Sequence, residues 1–267
     1  MKKLVAAPYL VWMAVFIVVP LFVVAYFAFF ENGAFTLDYV ASVSRYTNIF
    51  IRSIWLAAIA TVICLLISYP IAMILTDMDT NYQGTMLMIV MLPMWMNFLL
   101  RTYAWMTILG NNGILNQLFS LVGLGPYKLL NTQGAVVLGM VYNYLPYMIL
   151  PIYSVMVKID KSVLEAAKDL GCNKMQVILR VVLPLSLPGV MSGITMVFVP
   201  AISTFIISRM LGRGGNLLIG DLIEMQFLGN SYNPNLGAAI SLVLMVIILL
   251  IMTIMNQFDV DDDKVLM

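Results

Sequence analysis

Six apolar runs, each about twenty residues long, divide the chain and restrict what it can fold into. They cover roughly residues 8–30, 53–76, 86–108, 134–157, 188–208 and 236–256. A membrane helix needs about 20 apolar residues, so each run is long enough to span a bilayer. Barrel strands alternate apolar and polar residues, whereas these runs are apolar on all sides. The sequence predicts an all-α integral membrane protein with six transmembrane helices, forming a single transmembrane domain over residues 1–267.

Composition supports this class and excludes others. Hydrophobic residues make up 62% of the chain and charged residues 10%, against about 25% charged in soluble proteins. The first run follows Lys2 and Lys3 but is too long for a signal peptide and lacks a small-residue cleavage site. The chain has no His, and Cys64 and Cys172 should lie at different depths, so we expect no metal site and no disulfide.

Lys and Arg indicate the orientation. If the N-terminus is cytoplasmic, the inner segments carry Lys2, Lys3, Lys158, Lys161, Lys168, Lys174, Arg180 and Lys264, and the longer outer loops carry Arg45, Arg52, Arg101, Lys128, Arg209 and Arg213. The density of positive charge is therefore higher on the side of the N-terminus, which is the cytoplasmic side by the positive-inside rule. The sequence predicts that both termini and the loop 158–186 are cytoplasmic.

The loop 158–186 is hydrophilic and has the pattern of two short helices. Ser162 and Glu165 form a capping-box pattern, and Gly171 stands where a helix ends in the left-handed conformation. Asn173 and Gln176 repeat the start signal, and Pro184 is expected to interrupt the second helix.

Three interpretations of this helix, glycine turn, helix unit compete. Ala167, Gly171 and Val177 have the spacing of a DNA-binding helix-turn-helix, but acidic residues are mixed with the basic ones, which disfavours binding to phosphates. A solvated connecting loop is the second interpretation. The third is a docking helix, because the small residues Ala166, Ala167 and Gly171 would let a partner protein approach closely.

The segment EAAKDLG, followed nine residues later by VVLP, resembles the EAA signature of bacterial ABC importer permeases. Val181 replaces the Ile of that signature, whereas Gly171, Leu183 and Pro184 are in register. The resemblance implies the type I importer permease fold and makes the loop 158–186 a coupling helix that docks into a separate ATPase subunit. The coupling residues it implies are Glu165, Ala166, Ala167, Leu170 and Gly171.

Longer stretches narrow the resemblance. The segments LPMWMNFLLRTYAWMTIL (92–109), VYNYLPYMILPIYSVM (141–156) and NLLIGDLIEMQF (216–227) are similar to the first permease subunit of spermidine/putrescine importers. That resemblance implies a bacterial cell membrane, a polyamine substrate, a second similar permease and an extracytoplasmic binding protein that is free, lipid-anchored or fused to the other permease.

The chain has no G-x-x-x-x-G-K-[ST] phosphate loop. We therefore expect no catalytic residue and no cofactor in this chain, with ATP bound and hydrolysed by partner subunits. Membrane lipid is a further expected partner and nucleic acid is not.

Polar and aromatic residues near the third run are candidates for the substrate pathway. Asn97, Arg101 and Trp105 share one face of a helix at spacing i, i+4, i+8. Trp95, Tyr103 and Trp105 could hold ammonium groups by cation-π attraction or could form an interfacial aromatic belt. Arg101 could equally extend to the outer headgroups.

Asp221 and Glu224 lie in a half-apolar segment between runs five and six, and their i, i+3 spacing puts both carboxylates on one helical face. Carboxylates at intervals would suit a polyamine. Alternatively, they form salt bridges with Arg209 or Arg213.

Two other functions remain open at this stage. A permease for another small organic solute shares parts of the same stretches. An ion-coupled secondary transporter is disfavoured, because such proteins place ionisable residues within their spans and these spans carry almost no acids. A homodimeric pair of permeases also fits six spans.

Overall fold

The computed structural model describes residues 7–212, 217–229 and 231–263. Lys2, Lys3, Arg213 and Lys264, which entered the charge argument, lie outside the described residues, as do both ends of the predicted domain. Helices dominate the described part of the chain, whose one sheet is a small hairpin of β1 (Phe30–Glu31) and β2 (Ala34–Phe35).

The described residues contain five helical stretches that are long and apolar enough to cross a membrane. They are Val11–Phe29, Asp38–Asp77, Gln133–Met156, Lys174–Ser203 and Pro234–Met255. The first combines α1 (Ala7–Met13), a π-helical turn (Ala14–Val18) and α2 (Val19–Phe29), and the second combines α3 (Asp38–Ser42), a 3-10 turn (Val43–Tyr46) and α4 (Thr47–Asp77). The third stretch is α8 (Gln133–Met156), and the last belongs to α14 (Pro234–Asp263). The prediction of a helical membrane bundle is confirmed.

The run 86–108 is a broken helix, which corrects the expectation of one continuous span. It consists of α5 (Thr80–Trp95) and α6 (Phe98–Leu109), and the sixth candidate span exists only if α5 and the segment Phe98–Leu121 are counted together across an 85° bend. Met96 and Asn97 adopt extended backbone angles, and Pro93 cannot donate a backbone hydrogen bond in the last turn of α5. The Asn97 side chain then accepts a hydrogen bond from Leu99 N at 2.8 Å and starts α6.

The helix α8 is the centre of the bundle and packs against α4 and α11 (Leu183–Ser203). Glycines bring α8 and α11 unusually close together. A Cβ atom on Gly189 would lie 2.7 Å from the carbonyl oxygen of Pro151, and one on Gly193 would lie 2.7 Å from Met148 Sδ. Any larger residue at Gly189 would therefore force the two backbones apart. On the other side of the bundle, α14 packs against α2.

The fifth span ends at Ser203, so the expected span 188–208 is too long at its C-terminal end. Thr204 is extended, and α12 (Ile206–Leu211) and α13 (Ile219–Leu228) follow as short helices. Gly220 allows α13 to start directly on the end of α11, because a Cβ there would lie 2.5 Å from the Ser203 carbonyl oxygen. The helix α12 lies next to the broken span, since it packs against both α6 and α8.

At the other end, the fifth span is longer than expected. It begins with α10 (Lys174–Val177), passes through a π-helical turn (Ile178–Val182) and continues as α11. In the π turn, Leu183 N donates to the carbonyl of Ile178, five residues back. Pro184 directly follows this π turn and the helix continues through it, so Pro184 does not interrupt the helix as expected.

Candidate functional site: the coupling unit and the outer polar cluster

The segment 158–186 folds as a compact helical hairpin that runs into the first turn of α11, and we call it the coupling unit after the role that the sequence resemblance implies. Asp160 starts α9 (Lys161–Asp169) by accepting a hydrogen bond from Ser162 N at 2.9 Å. This backbone hydrogen bond lowers the pKa of the Asp160 carboxyl, because it favours the ionised form. The predicted capping box of Ser162 with Glu165 is wrong: the helix begins one residue before Ser162, so neither residue is placed to make it.

The turn and the second helix start are as expected. Gly171 has φ +84°, a left-handed conformation in which a side chain is unfavourable. The N–H of Cys172 donates to the Ala167 carbonyl at 3.1 Å, which closes the turn. Asn173 and Gln176 form a reciprocal capping box with both hydrogen bonds at 2.9 Å.

The five predicted coupling residues divide into one buried residue and four exposed ones. Ala167 is buried inside the hairpin, where its small side chain lets the two short helices pack closely. Glu165, Ala166, Leu170 and Gly171 are exposed. Leu170 exposes 85% of its surface at the tip of the hairpin, and Met175 is also exposed. An exposed apolar side chain next to small residues and a glycine turn is suited to insertion into a groove on another protein.

The coupling unit is joined directly to a membrane span. The residues Lys174–Ser203 form one helical stretch of 30 residues, so the second half of the hairpin and the fifth span are one rod. The rod links the hairpin to the opposite end of the bundle, where α12 and α13 follow.

Asp221 and Glu224 are placed by the structure in different environments. Asp221 is buried, and its Oδ2 accepts a hydrogen bond from Leu218 N at 3.0 Å at the start of α13. Burial raises the pKa of the Asp221 carboxyl, and the Leu218 N–H and the Ser208 hydroxyl oppose that rise only partly. The Ser208 hydroxyl has one hydrogen, which can go to Asp221 or to the Phe205 carbonyl 2.9 Å away.

Glu224 forms the ion pair that the sequence analysis kept as an alternative. Its Oε1 lies 2.6 Å from Nη1 of Arg209 on α12. The Arg209 side chain is 64% exposed and that of Glu224 is 20% exposed, so the pair lies at the surface of this cluster. We call Ser208, Arg209, Asp221 and Glu224 the outer polar cluster, after the side of the membrane on which the sequence prediction puts them. Arg213, the other candidate partner, lies outside the described residues.

Of the three residues predicted to share one helical face, Arg101 and Trp105 lie four residues apart on α6. Asn97 precedes α6 as its cap, and Trp95 precedes the bend and exposes 80% of its surface. Tyr103 is exposed on α6. Trp105 is half-buried and packs edge-on against Tyr142 of α8, with ring centroids 5.4 Å apart.

Arg101 is buried and does not extend to the headgroups. It exposes only 8% of its surface, and its Nε and Nη1 atoms find no hydrogen-bond partner among the described residues. Asn143 Oδ1 is likewise buried without a partner among them. The neighbouring Trp95 and Tyr103 would suit an arginine at the membrane surface equally well, so the sequence pattern did not reveal that Arg101 is buried.

A groove of about 700 Å³ opens beside Trp105, between α4, α6 and α8. Its walls are almost entirely apolar: Leu56, Ile59, Ile63, Ile67, Val137, Leu138, Val141 and Leu145, with Gln133, Gly134, Tyr142 and Trp105. The groove contains no acidic residue, so it offers no ion pair to a polycation. In the described part of the chain, no group of three acidic, Cys or His residues could hold a metal ion.

Comparison with known proteins covers nearly the whole chain. The family model of the binding-protein-dependent transport system inner membrane component matches residues 1–260. The spermidine/putrescine transport system permease protein PotB of Haemophilus influenzae is 38% identical over 261 residues, covering 94% of this chain and 91% of the relative. PotB of Escherichia coli K12 is 34% identical over 247 residues, covering 88% and 90%.

Solved structures share the fold. A chain of a bacterial ABC transporter involved in the import of the acidic polysaccharide alginate superposes with a TM-score of 0.82 at 15% identity, covering 96% of this chain and 94% of that one. A chain of the MetNI methionine ABC transporter gives 0.60 at 15% identity, covering 81% and 95%. The bundle therefore has the type I permease fold, and the chain belongs to the family of binding-protein-dependent transport system inner membrane components.

Proposed function

We propose that this chain is the permease subunit of an ATP-driven importer of polyamines, spermidine and putrescine, and forms half of the translocation pathway. The observation that carries the proposal is the identity of 34% to 38% with permeases named for spermidine/putrescine transport, maintained over about nine-tenths of each chain. Membership of the family also replaces the ion-coupled secondary transporter and the DNA-binding regulator that the sequence alone left open.

The coupling unit is the element through which a separate ATPase acts on this chain. Leu170 and the small residues beside it enter a cleft on the ATPase, and Glu165 contributes a charge at the rim of the contact. Gly171 keeps the hairpin compact, so that motion of the ATPase moves the two short helices together. The rod Lys174–Ser203 passes that motion to the outer side, where it shifts the chain between inward- and outward-facing states.

The chain itself catalyses no reaction in this proposal and holds no cofactor. Two ATPase subunits bind and hydrolyse ATP, a second similar permease completes the pathway, and an extracytoplasmic binding protein delivers the polyamine. The complex lies in a bacterial cell membrane with both termini and the coupling unit of this chain in the cytoplasm. Lipid surrounds the exposed apolar faces of α2 and α14.

For the pathway, the exposed aromatic rings are better placed than the acids. Trp95 and Tyr103 expose their faces on either side of the bend and can attract ammonium groups weakly enough to release them. Asn97 lies at the bend itself, and Trp105 lines the apolar groove. Asp221 and Glu224 remain candidates for the mouth of the pathway, with the difference that each already has a partner in this chain.

The test is uptake of labelled spermidine and putrescine into vesicles that contain the purified complex with its binding protein. We expect uptake that requires ATP and is competed by either polyamine. Import of a different organic solute without polyamine uptake would show that the substrate is not a polyamine, while the family assignment would stand. Purification of the chain without any ATPase would contradict the proposal as a whole.

A further inference from the structure

Two hydrogen bonds between side chains of different helices tie the base of the coupling unit to the hairpin of α4 and α5. Tyr69 on α4 bonds to Ser186 on α11, with the two oxygens 3.0 Å apart. Tyr153 on α8 donates to Oε1 of Gln83 on α5 at 3.1 Å. Tyr69 and Ser186 are 117 residues apart in the sequence, and Gln83 and Tyr153 are 70 residues apart.

The Ser186 hydroxyl has one hydrogen, which can go to Tyr69 or to the Leu183 carbonyl 3.1 Å away, so either hydroxyl can be the donor in the Tyr69–Ser186 bond. The direction of the second bond is fixed. The Gln83 amide nitrogen donates to the carbonyls of Thr76 at 3.2 Å and Met78 at 2.9 Å, which leaves its oxygen as the acceptor for Tyr153. Gln83 thereby caps the C-terminal end of α4 and fixes the turn to α5 at the same time.

The positions of the four residues relative to the coupling unit are symmetrical. Tyr153 lies in the last turn of α8, which enters the unit, and Ser186 lies in the first turn of α11, which leaves it. Their partners Tyr69 and Gln83 both belong to the α4–α5 hairpin. Each stem of the coupling unit is therefore attached to the same hairpin by one bond.

The stems themselves form a rigid pair, because Gly189 brings α11 to within contact of the Pro151 carbonyl on α8. The helices α4 and α11 each lack a backbone hydrogen bond close to the Tyr69–Ser186 bond. Pro70, next to Tyr69, and Pro188, two residues after Ser186, each remove one backbone hydrogen bond inside a helix. Near these prolines, the directions of α4 and α11 therefore depend more on contacts between helices than on hydrogen bonds within each helix.

We propose that Tyr69–Ser186 and Tyr153–Gln83 transmit the displacement of the coupling unit to the α4–α5 hairpin, which makes these four residues positioning residues for transport. The proposal rests on the proposed function, since it needs an ATPase that moves the coupling unit. The hairpin leads through α5 to the bend at Met96 and Asn97 and carries one wall of the apolar groove. Motion at the base of the bundle reaches the outer half of the protein along this second route, in parallel with the rod Lys174–Ser203.

The experiment measures solute imported per ATP hydrolysed by the whole complex in vesicles. Tyr69→Phe and Tyr153→Phe should each lower this ratio about two- to tenfold, the factor by which one hydrogen bond of ordinary strength changes an equilibrium. Tyr69→Phe with Ser186→Ala should equal Tyr69→Phe alone, because both changes remove the same bond. Tyr69→Phe with Tyr153→Phe should be lower than either single variant.

Matched controls are available beside each residue. Tyr82→Phe changes an exposed tyrosine next to Gln83, and Ser154→Ala removes a hydroxyl that bonds only within α8, to the Pro151 carbonyl. Both should keep the wild-type ratio. A merely structural role for the four residues would lower the amount of complex and both activities in proportion, and an unchanged ratio in the Tyr69→Phe, Tyr153→Phe variant would overturn the proposal.

A second measurement does not depend on the solute. Spin labels at Asp79→Cys, in the α4–α5 turn, and Lys174→Cys, in the coupling unit, are introduced with Cys172→Ser. Their separation should stay constant between nucleotide-free and ATP-bound complexes, and should change on ATP binding when Tyr69→Phe and Tyr153→Phe are present. A separation that changes equally with and without the two tyrosine hydroxyls contradicts transmission through them. Absence of polyamine uptake by the wild type counts against the proposed substrate alone.

Discussion

Glu224 accepts a hydrogen bond from Arg209, and the two side chains form an ion pair with Nη1 and Oε1 2.6 Å apart. Neutralising Glu224 alone therefore leaves a positive guanidinium at the outer polar cluster. Because that charge repels a polycation, we expect Glu224→Gln to lower spermidine uptake about two- to threefold at matched abundance of the complex, an effect that higher salt weakens.

The matched variant is Arg209→Gln combined with Glu224→Gln. If the unpaired arginine causes the loss, the double variant should regain most of the wild-type uptake. Uptake as low as in Glu224→Gln alone would show instead that the carboxylate itself contacts the solute, as the sequence suggested. The pair is partly exposed, so we expect either change to alter stability by less than about 1 kcal/mol.

Asp221 should make the stability of the protein depend on pH in a particular direction. Burial raises its pKa in the folded protein above the value of 3.8 in the unfolded chain, so the folded state binds more protons between these two values. Stability is therefore lost as the pH rises through the folded pKa. Thermal unfolding of the detergent-purified complex between pH 4 and pH 7 should show that the wild type loses stability relative to Asp221→Asn as the pH rises.

Ser208→Ala provides the check on this interpretation. It removes a hydroxyl that favours the ionised carboxylate, so it should raise the pKa of Asp221 further and move the loss of stability to higher pH. Parallel pH profiles for the wild type and Asp221→Asn would contradict the raised pKa.

The sequence predicted those features that depend on local patterns. Gly171 in a left-handed turn and the Asn173 capping box follow from residue types that few other conformations accept, and the long apolar runs follow from the thickness of the bilayer. The cap of α9 was missed by two residues, because both Asp160 and Ser162 are good caps and only the backbone decides which of them is used.

Features that depend on distant contacts were not predictable. The break at Met96 and Asn97 lies within an apolar run that is long enough for one span, and Pro93 and the Asn97 cap are also compatible with a span that is only kinked. The hydrogen bond of Tyr69 joins residues 117 positions apart. Hydropathy and helical spacing describe only nearby residues, so they cannot predict a contact between two such distant residues.

Gly171 offers the sharpest test of the coupling unit. A Cβ at this position would meet no atom within 4 Å, so the penalty of a side chain comes from the backbone at φ +84° and amounts to about 1 to 2 kcal/mol. We expect Gly171→Val to lower uptake at least fivefold while insertion into the membrane is unchanged, because the valine disfavours the compact hairpin.

Asn is the matched control, since it accepts the left-handed conformation far better than a β-branched residue. Gly171→Asn should retain most of the uptake and of the solute-stimulated ATP hydrolysis. An equal loss of uptake in both variants would show that any side chain at this position disturbs the contact with the ATPase. Unchanged uptake in Gly171→Val would show that this turn has no role in coupling.

The native cysteines report the orientation. Cys172 lies at the partly exposed turn of the coupling unit, and Cys64 is buried. An impermeant thiol reagent should label the wild type in inside-out vesicles but not in intact cells with a permeable wall. With Cys172→Ser as background, Ser120→Cys on the exposed side of α7 (Ile114–Leu121) should show the opposite pattern. Labelling of Cys172 in intact cells would reverse the topology.

Arg101 gives a prediction about stability that distinguishes this chain alone from the assembled complex. Two guanidinium nitrogens of Arg101 are buried without hydrogen-bond partners among the described residues, and the Phe98 ring, whose centroid lies 5.9 Å from Cζ, offsets only part of the cost of burying this charge. Arg101→Met keeps much of the apolar stem and removes that penalty. We therefore expect the midpoint of thermal unfolding of the separately purified chain to rise by at least about 2 °C, the shift that about 1 kcal/mol produces in a protein of this size.

The comparison with the complex shows where the missing partner lies. Arg45→Met, at an exposed arginine, is the control and should change the midpoint little. If Arg101→Met stabilises the isolated chain but destabilises the complex, an acceptor outside this chain pairs with the guanidinium after assembly. If the substitution destabilises both forms, the guanidinium is already paired within the chain, and the buried unpaired arginine of the present structure is contradicted.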